Sequence, residues 1–132
     1  MAKAKGSTVR RKGFNAEREY ARLFRELGFP LCKTSRYGSK LHDDAGIDLI
    51  NLPLNVQIKA GRQQGLHIPN LIAELKLRIK SMFPRTALEQ TNPMVIIHHR
   101  DGKRGVPRVE TDSIVSMTFT DFCKLIERVK WD

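Results

Sequence analysis

Two short apolar segments of the sequence each carry polar residues that can take part in phosphodiester chemistry. Asp48 lies between Gly46-Ile47 and Leu49-Ile50, and Gln57 and Lys59 lie within Asn55-Val56-Gln57-Ile58-Lys59. Hydrolysis of a phosphodiester needs oxygen ligands for a hard divalent cation, an activated water and a positive group near the developing charge. An acid, an amide and a lysine in this arrangement could supply all three.

Each of these residues has an expected role. Asp48 would be the principal anionic ligand of the cation, Gln57 would add its side-chain carbonyl oxygen, and the backbone carbonyl of Ile58 would add a third contact. Lys59 would hold or polarise the water. Alternation along a strand places Gln57 and Lys59 on one face, where Asp48 can approach them from the preceding strand. Taken alone, the same residues also fit a strand end and a solvated sheet face.

A second acidic residue strengthens the catalytic interpretation. Glu17 lies in Lys12-Gly13-Phe14-Asn15-Ala16-Glu17-Arg18-Glu19, at the start of an apolar pattern with helical spacing. The pattern predicts a helix over about 15–27, with Asn15 as the N-cap and Gly28 just beyond its end. Glu17 could reach the same cation from this helix. His42, Asp43 and Asp44, which precede Asp48, could assist the cation but are expected in a solvated loop.

The elements that must position these residues follow in the order α β β β α β β α. Strands are predicted over 29–36, 47–51 and 54–59, with a polar loop over 37–46. A helix opened by Pro69 follows, although the alternation of Leu75, Leu77 and Ile79 leaves a strand open. A hairpin formed from 94–99 and 106–117 and a helix capped by Thr118 or Thr120 complete the chain. This order predicts an α/β domain with a mixed central sheet flanked by helices.

Length and charge describe one small domain with a polyanionic partner. The 132 residues fit a single domain over 13–132, preceded by a flexible basic N-terminal arm over 1–12. The 24 Lys and Arg residues exceed the 14 Asp and Glu residues, which gives a net charge of +10. Such an excess favours nucleic acid, with an anionic membrane surface or an acidic protein as alternatives.

Membrane insertion, secretion and zinc binding find no support in the sequence. No apolar run approaches the roughly 18 residues of a membrane span, and the N-terminus lacks the apolar stretch of a secretory signal. Cys32 and Cys123 have no ligand-spaced companions, so they are expected to be reduced and buried. A cytoplasmic or nuclear location is expected.

The ordered motifs resemble the Holliday-junction resolvases of archaea and phages, a branch of the PD-(D/E)XK nuclease superfamily. Those enzymes show a basic residue and a glycine before a Glu-Arg-Glu helix, then a Gly-Phe turn and a basic strand ending in a Ser/Gly loop. An Asp before an apolar dipeptide and a Glu-X-Lys strand complete the pattern. The resemblance covers 11–59, and the matching positions are Lys12, Gly13, 17–19, 28–29, 36–39, 48–50 and 57–59.

The resemblance implies a restriction-endonuclease-like fold and a homodimeric endodeoxyribonuclease that resolves four-way DNA junctions. It implies Mg²⁺ as the cofactor, with Mn²⁺ as a substitute, bound by Glu17, Asp48, Gln57 and Ile58. It also implies that Ser39 or Ser35 assists catalysis, and it suggests a phage protein in the host cytoplasm. Phosphate contacts are expected from the basic arm and the following loop. The residues expected to bind nucleic acid are Arg10, Arg11, Lys12, Arg36, Tyr37, Ser39 and Lys40.

One position departs from the family pattern. Gln57 stands where the Glu-X-Lys strand has its glutamate, which removes one formal negative charge from the cation site. Some branches of the superfamily carry glutamine here and are active, so cleavage is still expected. Two alternatives stay open: a nuclease of restriction or repair type that cuts duplexes or flaps, and a non-catalytic DNA-binding protein on a degenerate nuclease fold.

Overall fold

A computed structural model describes residues 2–60, 66–102, 105–107 and 112–129, with side chains described from residue 13 onward. Five α-helices, one 3₁₀ turn and five strands are assigned within this part of the chain. The helices are α1 (Ala2–Glu26), α2 (Ser35–Gly38), α3 (Lys40–Asp44), α4 (Ile68–Met82) and α5 (Phe119–Arg128), and the 3₁₀ turn is Leu88–Gln90. The strands are β1 (Lys33–Thr34), β2 (Leu49–Ile50), β3 (Asn55–Lys59), β4 (Met94–His98) and β5 (Ile114–Ser116).

The strands form one mixed sheet in the order β1-β2-β3-β4-β5. β3 and β4 are parallel, while the other neighbouring strands are antiparallel. A parallel pair needs a long crossover, and α4 provides it between β3 and β4. The predicted α/β class with a mixed central sheet is therefore confirmed, and so is the antiparallel pairing of β4 with β5.

Helices cover both faces of the central strands. Val56 and Ile58 of β3 face one side, where they pack in a buried cluster with Ala16 and Ala21 of α1. On the other side, Leu75 of α4 belongs to a second cluster that includes the following buried residues: Ile47, Ile72, Ile79, Met94 and Ile96. Because both faces are covered, β4 alternates between two buried layers, which explains its nearly continuous apolar sequence, whereas β3 alternates apolar with polar residues.

Capping residues explain where the long helices begin and end. α1 ends in a Schellman motif, since the Phe29 N–H donates to Phe24 O and Gly28 has a positive φ of 113°. His67 caps α4 by accepting from the Asn70 N–H, and Pro69 follows in the first turn. Thr118 caps α5. The helix opened by Pro69 is confirmed, the strand alternative over 75–79 is wrong, and Thr118 rather than Thr120 is the cap.

The predicted strand over 29–36 is wrong for most of its length. The Cys32 N–H donates to Phe29 O and closes a turn, so β1 begins only at Lys33. Beyond β1, α2 takes up the end of the predicted strand and the start of the predicted loop over 37–46, and α3 lies within that loop. Ser39 starts α3 by accepting a hydrogen bond from the His42 N–H, a local side-chain contact that nucleates a short helical turn.

The first helix begins earlier than predicted. It starts at Ala2, so the backbone expected as a flexible arm is helical over 2–12. Alanine, lysine and arginine are strong helix formers, and no proline interrupts the segment. The division into an arm and a domain over 13–132 stays a prediction. Cys32 is buried as expected, whereas Cys123 is only partly buried.

Within the described residues, no helix is both long enough and apolar enough to cross a membrane.

Candidate active site

Asp48 lies at the point where β2 and β3 separate. Its backbone N–H donates to Val56 O at 2.7 Å, and its side-chain Oδ2 accepts from the Ile58 N–H at 2.7 Å. Beyond the Leu49–Val56 pair, the Ile58 N–H therefore bonds to the side chain of Asp48 instead of to a backbone carbonyl of the neighbouring strand. Since the N–H and C=O of one strand residue point to the same side, the Ile58 carbonyl also points toward Asp48. This places two oxygen donors at the fork.

The charge of Asp48 is poorly stabilised by the protein. Burial raises the pKa of this carboxyl to about 7, although the hydrogen bond from the Ile58 N–H opposes the rise. The negative charges of Glu17 and Asp43 raise the pKa further, and Lys59 lowers it. Glu17, Asp43 and Lys59 are therefore close enough to Asp48 to affect its charge. The expectation of a solvated loop missed the contribution of Asp43.

Glu17 reaches this region from α1 and is paired with Arg36. Burial raises the pKa of Glu17, while the charge of Arg36 and its hydrogen bond oppose the rise. Arg36 Nη2 lies 3.5 Å from Glu17 Oε1 and 3.4 Å from Oε2. The Arg36 Cζ also lies 3.4 Å from the centroid of the Phe14 ring, in a cation–π contact. Arg36, expected to bind phosphate, thus holds an acid of the site in this structure.

Gln57 carries a buried acceptor for which the described residues offer no donor. Its side chain lies beside Gly46, where a Cβ would come within 3.1 Å of Gln57 Nε2 and 2.6 Å of Leu75 Cδ2. Gly46 also has a φ of +85°, so the close approach and the backbone both favour glycine. No donor in the described part of the chain reaches Gln57 Oε1. A buried orphan acceptor costs about 1–3 kcal/mol, which a ligand would offset.

The donor set fits a hard divalent cation. Glu17 and Asp48 offer two carboxylates and Ile58 a backbone carbonyl, which are oxygen ligands of the kind that Mg²⁺ prefers. The Gln57 amide would have to join them from the other face of β3, where it lies beside Gly46. Among the described residues, no group of three or more His, Cys, Asp or Glu side chains is placed to hold a metal ion. The fit therefore depends on the orphaned Gln57 oxygen and the backbone as well as on the acids.

Ser39 is engaged in a hydrogen-bonded chain with His42 and Glu89. Ser39 Oγ lies 2.7 Å from His42 Nδ1, and His42 Nε2 lies 3.0 Å from Glu89 Oε1. His42 is partly buried and packs edge-on against the Phe83 ring, so the expectation of a solvated loop is wrong for this residue. The chain ties α3 to the 3₁₀ turn. The catalytic role of Ser39 stays a prediction.

Ser35 is the serine that touches the fork directly. Its N–H donates to Asp48 O at 2.8 Å, which places it opposite Asp48 at the end of β1. The Ser35 side chain is buried, and no partner for its Oγ lies within the described residues. Of the two serines considered from the sequence, Ser35 is the nearer neighbour of Asp48.

A basic groove of about 400 Å³ runs between α1, β1 and α2. The sequence interpretation identified only exposed Tyr37 among its residues and missed three cations, Arg18, Arg25 and Lys33. The spacing of Arg18 and Arg25, two helical turns apart, is the sequence signal for a shared helix face. Lys33 lies near these two arginines only because β1 packs against α1.

Four other residues were also expected to bind phosphate. Lys40 is exposed at the start of α3. Arg10, Arg11 and Lys12 lie within α1, but their side chains lie outside the described part of the chain.

A second cavity, of about 330 Å³, lies at the opposite ends of β3 and β4 and contains a buried acid that sequence reasoning missed. Asp121 is 1% exposed and accepts from the Met94 N–H at 3.0 Å and from Lys76 Nζ at 2.8 Å. Burial raises the pKa of Asp121, but these two hydrogen bonds, together with the charges of Lys76 and Lys124, outweigh it and leave the pKa lowered. This acid joins α4, β4 and α5 and has a structural role.

In comparisons with known proteins, no family model, curated protein or solved structure matched the chain significantly. The functional interpretation therefore depends on the residues of this chain and their geometry.

Proposed function

We propose that this protein is a Mg²⁺-dependent endodeoxyribonuclease with a restriction-endonuclease-like, PD-(D/E)XK fold. The observation that carries the proposal is the position of Asp48 at the fork of β2 and β3, where it interacts electrostatically with Glu17 and Lys59. An acid at a strand fork, an acid from the first helix and a lysine on the next strand form the constellation that metal-assisted phosphodiester hydrolysis needs.

The residues of the site have separate tasks in this mechanism. Glu17, Asp48, Gln57 and the Ile58 carbonyl would hold the cation, which would supply charge neutralisation and lower the pKa of the attacking water. Lys59 orients the attacking water and stabilises negative charge on the scissile phosphate. The hydrogen bond from the Ile58 N–H fixes the Asp48 carboxylate before substrate binds. The products would carry a 5′-phosphate and a 3′-hydroxyl.

Contacts to the DNA backbone come from two basic regions. The groove lined by Arg18, Arg25, Lys33 and Tyr37 lies beside α2, which also carries Arg36. Lys40 and the basic start of α1, including Arg10, Arg11 and Lys12, extend the positive surface. Phosphate contacts position a duplex without reading its sequence, so affinity should fall steeply with salt.

The preferred substrate in this proposal is a four-way DNA junction, cut by a homodimer. The support for the junction is the motif resemblance over 11–59, because a four-way junction offers two equivalent strands to a two-fold symmetric enzyme. Selectivity would come from the shape of the junction rather than from base contacts.

Cleavage of labelled four-way junction and of a linear duplex with matching arms, with Mg²⁺ or Mn²⁺, tests the proposal. We expect symmetric nicks in the junction that are lost in Asp48→Asn and in Lys59→Ala. Glu74→Gln, which removes an exposed acid paired with Arg78, is the matched control and should cut normally. Cleavage that survives in Asp48→Asn would exclude this site, and equal cutting of the duplex would favour the restriction or repair alternative.

Gln57 favours a second candidate, a protein that binds DNA on this fold without cutting it. The amide leaves only two carboxylates in the donor set, which weakens cation binding. This candidate predicts salt-sensitive junction binding, and no cleavage with Mg²⁺ or Mn²⁺ in either the wild type or Gln57→Glu.

A further inference from the structure

The basic groove between α1, β1 and α2 combines positive charge with an exposed aromatic ring. The described residues that line it are Arg18, Ala21, Arg25, Lys33, Thr34 and Tyr37, and none of them is acidic. Tyr37 is 76% exposed. Among the described residues, the ring–ring and cation–π contacts do not include Tyr37. Its ring is therefore accessible to a ligand that enters the groove.

Two cations of the groove are held in place by the fold. Arg25 Nη1 donates to Cys32 O at 2.9 Å, which ties its guanidinium to the turn before β1. The stem of Lys33 packs closely over α2, because a Cβ at Gly38 would come within 2.8 Å of Lys33 Cε. This close contact lies next to Tyr37 in the sequence. Side chains that are already positioned lose less conformational freedom when a ligand binds.

The size and chemistry of the groove suit a single strand of nucleic acid. A volume of about 400 Å³ lies near the lower end of the range for small-ligand pockets and has room for about one or two nucleotides. Proteins that bind single strands without reading sequence combine a basic groove along the backbone with an aromatic ring on which a base stacks. A base inside a duplex is stacked on both sides, so only an unpaired base can stack on Tyr37.

The groove is continuous with the candidate active site. Arg18 follows Glu17 in α1. On the other side of the groove, Thr34 precedes Ser35, whose N–H donates to Asp48 O at 2.8 Å. A strand that lies in the groove would therefore leave it beside the two acids of the candidate site.

We propose that this groove binds an unpaired nucleotide of the DNA substrate, with the base stacked on Tyr37 and the flanking phosphates held by Arg18, Arg25 and Lys33. The inference rests on the proposed function for DNA as the ligand, and it refines the substrate class. Duplexes with a single-stranded overhang, and junctions with unpaired nucleotides at the branch point, should bind more tightly than their fully paired counterparts.

The experiment measures DNA binding by fluorescence anisotropy in the presence of a chelator, so that cleavage plays no part. The probes are a blunt duplex, the same duplex with a short overhang, and four-way junctions with and without unpaired nucleotides at the branch point. We expect the wild type to bind the probes with unpaired nucleotides about 10-fold more tightly than the paired ones.

Substitutions of Tyr37 separate stacking from charge. Tyr37→Leu should abolish the preference for unpaired DNA and change the affinity for blunt duplex by less than about 2-fold, because it removes the ring and no charge. Tyr37→Phe keeps the ring and should keep the preference. Phe119→Leu, which removes an exposed ring of α5 outside the groove, is the matched control and should bind as the wild type does. Circular dichroism checks that each variant is folded.

Photo-crosslinking tests the stacking in the wild type itself. A 5-iodouracil base in the overhang crosslinks on irradiation to an aromatic ring that lies against it, and mass spectrometry of the product should locate the crosslink at Tyr37. This measurement decides the question even if a Tyr37 variant does not fold. A crosslink at another residue, or DNA binding without a crosslink, overturns the proposal.

The outcomes separate this inference from the proposed function. If the preference for unpaired DNA depends on Tyr37 and cleavage is absent, only the nuclease proposal fails. If cleavage occurs and the wild type binds paired and unpaired probes equally, only the groove proposal fails. Equal losses on all probes in Tyr37→Leu would also overturn it, because Tyr37 would then contact the backbone rather than a base.

Discussion

Arg36 and Glu17 form an ion pair across the candidate site, with Arg36 Nη2 3.4 Å from Glu17 Oε2. Without a bound cation, the Arg36 guanidinium pairs with the Glu17 carboxylate, and the Phe14 ring packs against the guanidinium. A divalent cation bound by Glu17 would compete with Arg36. In the proposed function, the pair would therefore couple cation binding to the availability of Arg36 for phosphate.

Replacing Arg36 should separate these two effects. Arg36→Gln removes a competing positive charge, so we expect Mn²⁺ affinity without DNA to rise about 3–10-fold, a free-energy change of roughly 1 kcal/mol. Junction affinity should fall because a phosphate contact is lost. Isothermal titration calorimetry and DNA binding measure the two quantities. Arg22→Gln, which removes an exposed arginine paired with Glu19 and Glu26, should change neither.

Asp48 predicts a pH-dependent stability of the metal-free protein. The folded pKa of about 7 lies above the ordinary value of 3.8, so protonation favours folding. The stabilising effect is fully present below about pH 4 and is lost as the pH rises through 7, by up to about 4 kcal/mol. In the presence of a chelator, denaturant titrations from pH 5 to pH 8 should show this loss. Asp48→Asn should remove it, and an unchanged slope in that variant would assign the effect elsewhere.

Gln57 predicts the effect of restoring a carboxylate. Gln57→Glu adds a charged oxygen to the proposed donor set, so the Mg²⁺ concentration at half-maximal cleavage should fall about 10-fold. The Mg²⁺ dependence of the cleavage rate measures this shift. Asn70→Asp, which adds an acid on the exposed surface of α4, controls for net charge and should leave the Mg²⁺ dependence unchanged. A higher Mg²⁺ requirement in Gln57→Glu would contradict Gln57 as a ligand.

Local patterns were sufficient to predict the central elements of the fold. Alternation placed Gln57 and Lys59 on one face of a strand, and Pro69 marked the start of α4. Both signals act within a few residues along the chain, where periodicity and capping determine backbone conformation. The order of strands and helices then made a mixed sheet the simplest arrangement.

Features created by long-range packing could not be predicted in the same way. The Arg36–Glu17 pair joins residues 19 positions apart, and Asp121 meets Met94 only after α5 docks. The apolar pattern of α5 predicted a helix correctly, but helical periodicity alone does not determine which face of the helix packs against the domain. The start of α1 at Ala2 was missed because a basic segment with little apolar content was interpreted as an arm.

The basic groove predicts how DNA affinity depends on salt. Lys33→Ala and Arg18→Ala should each weaken junction binding, and each should reduce the slope of log affinity against log salt by about 1, because each removes one phosphate contact. Fluorescence anisotropy over a salt series measures the slope. Lys80→Ala, in the cavity at the other end of β3, is the matched control. Equal effects from all three variants would mean that binding follows net charge rather than the groove.

The buried acid of α5 predicts a loss of stability without a loss of chemistry. Asp121→Asn removes the charge that Lys76 pairs with and weakens the acceptor of the Met94 N–H, so we expect a destabilisation of about 1–3 kcal/mol. The lowered pKa of Asp121 gives the sign: its stabilising effect is present above its ordinary pKa and is lost as the pH falls through the folded value. Urea unfolding at neutral pH measures the loss. Glu74→Gln breaks an exposed pair and should change stability by less than about 1 kcal/mol. Because Asp121 lies at the far end of the sheet, the cleavage rate of folded Asp121→Asn should equal that of the wild type, and a selective loss of cleavage would show that the two ends of the sheet are coupled.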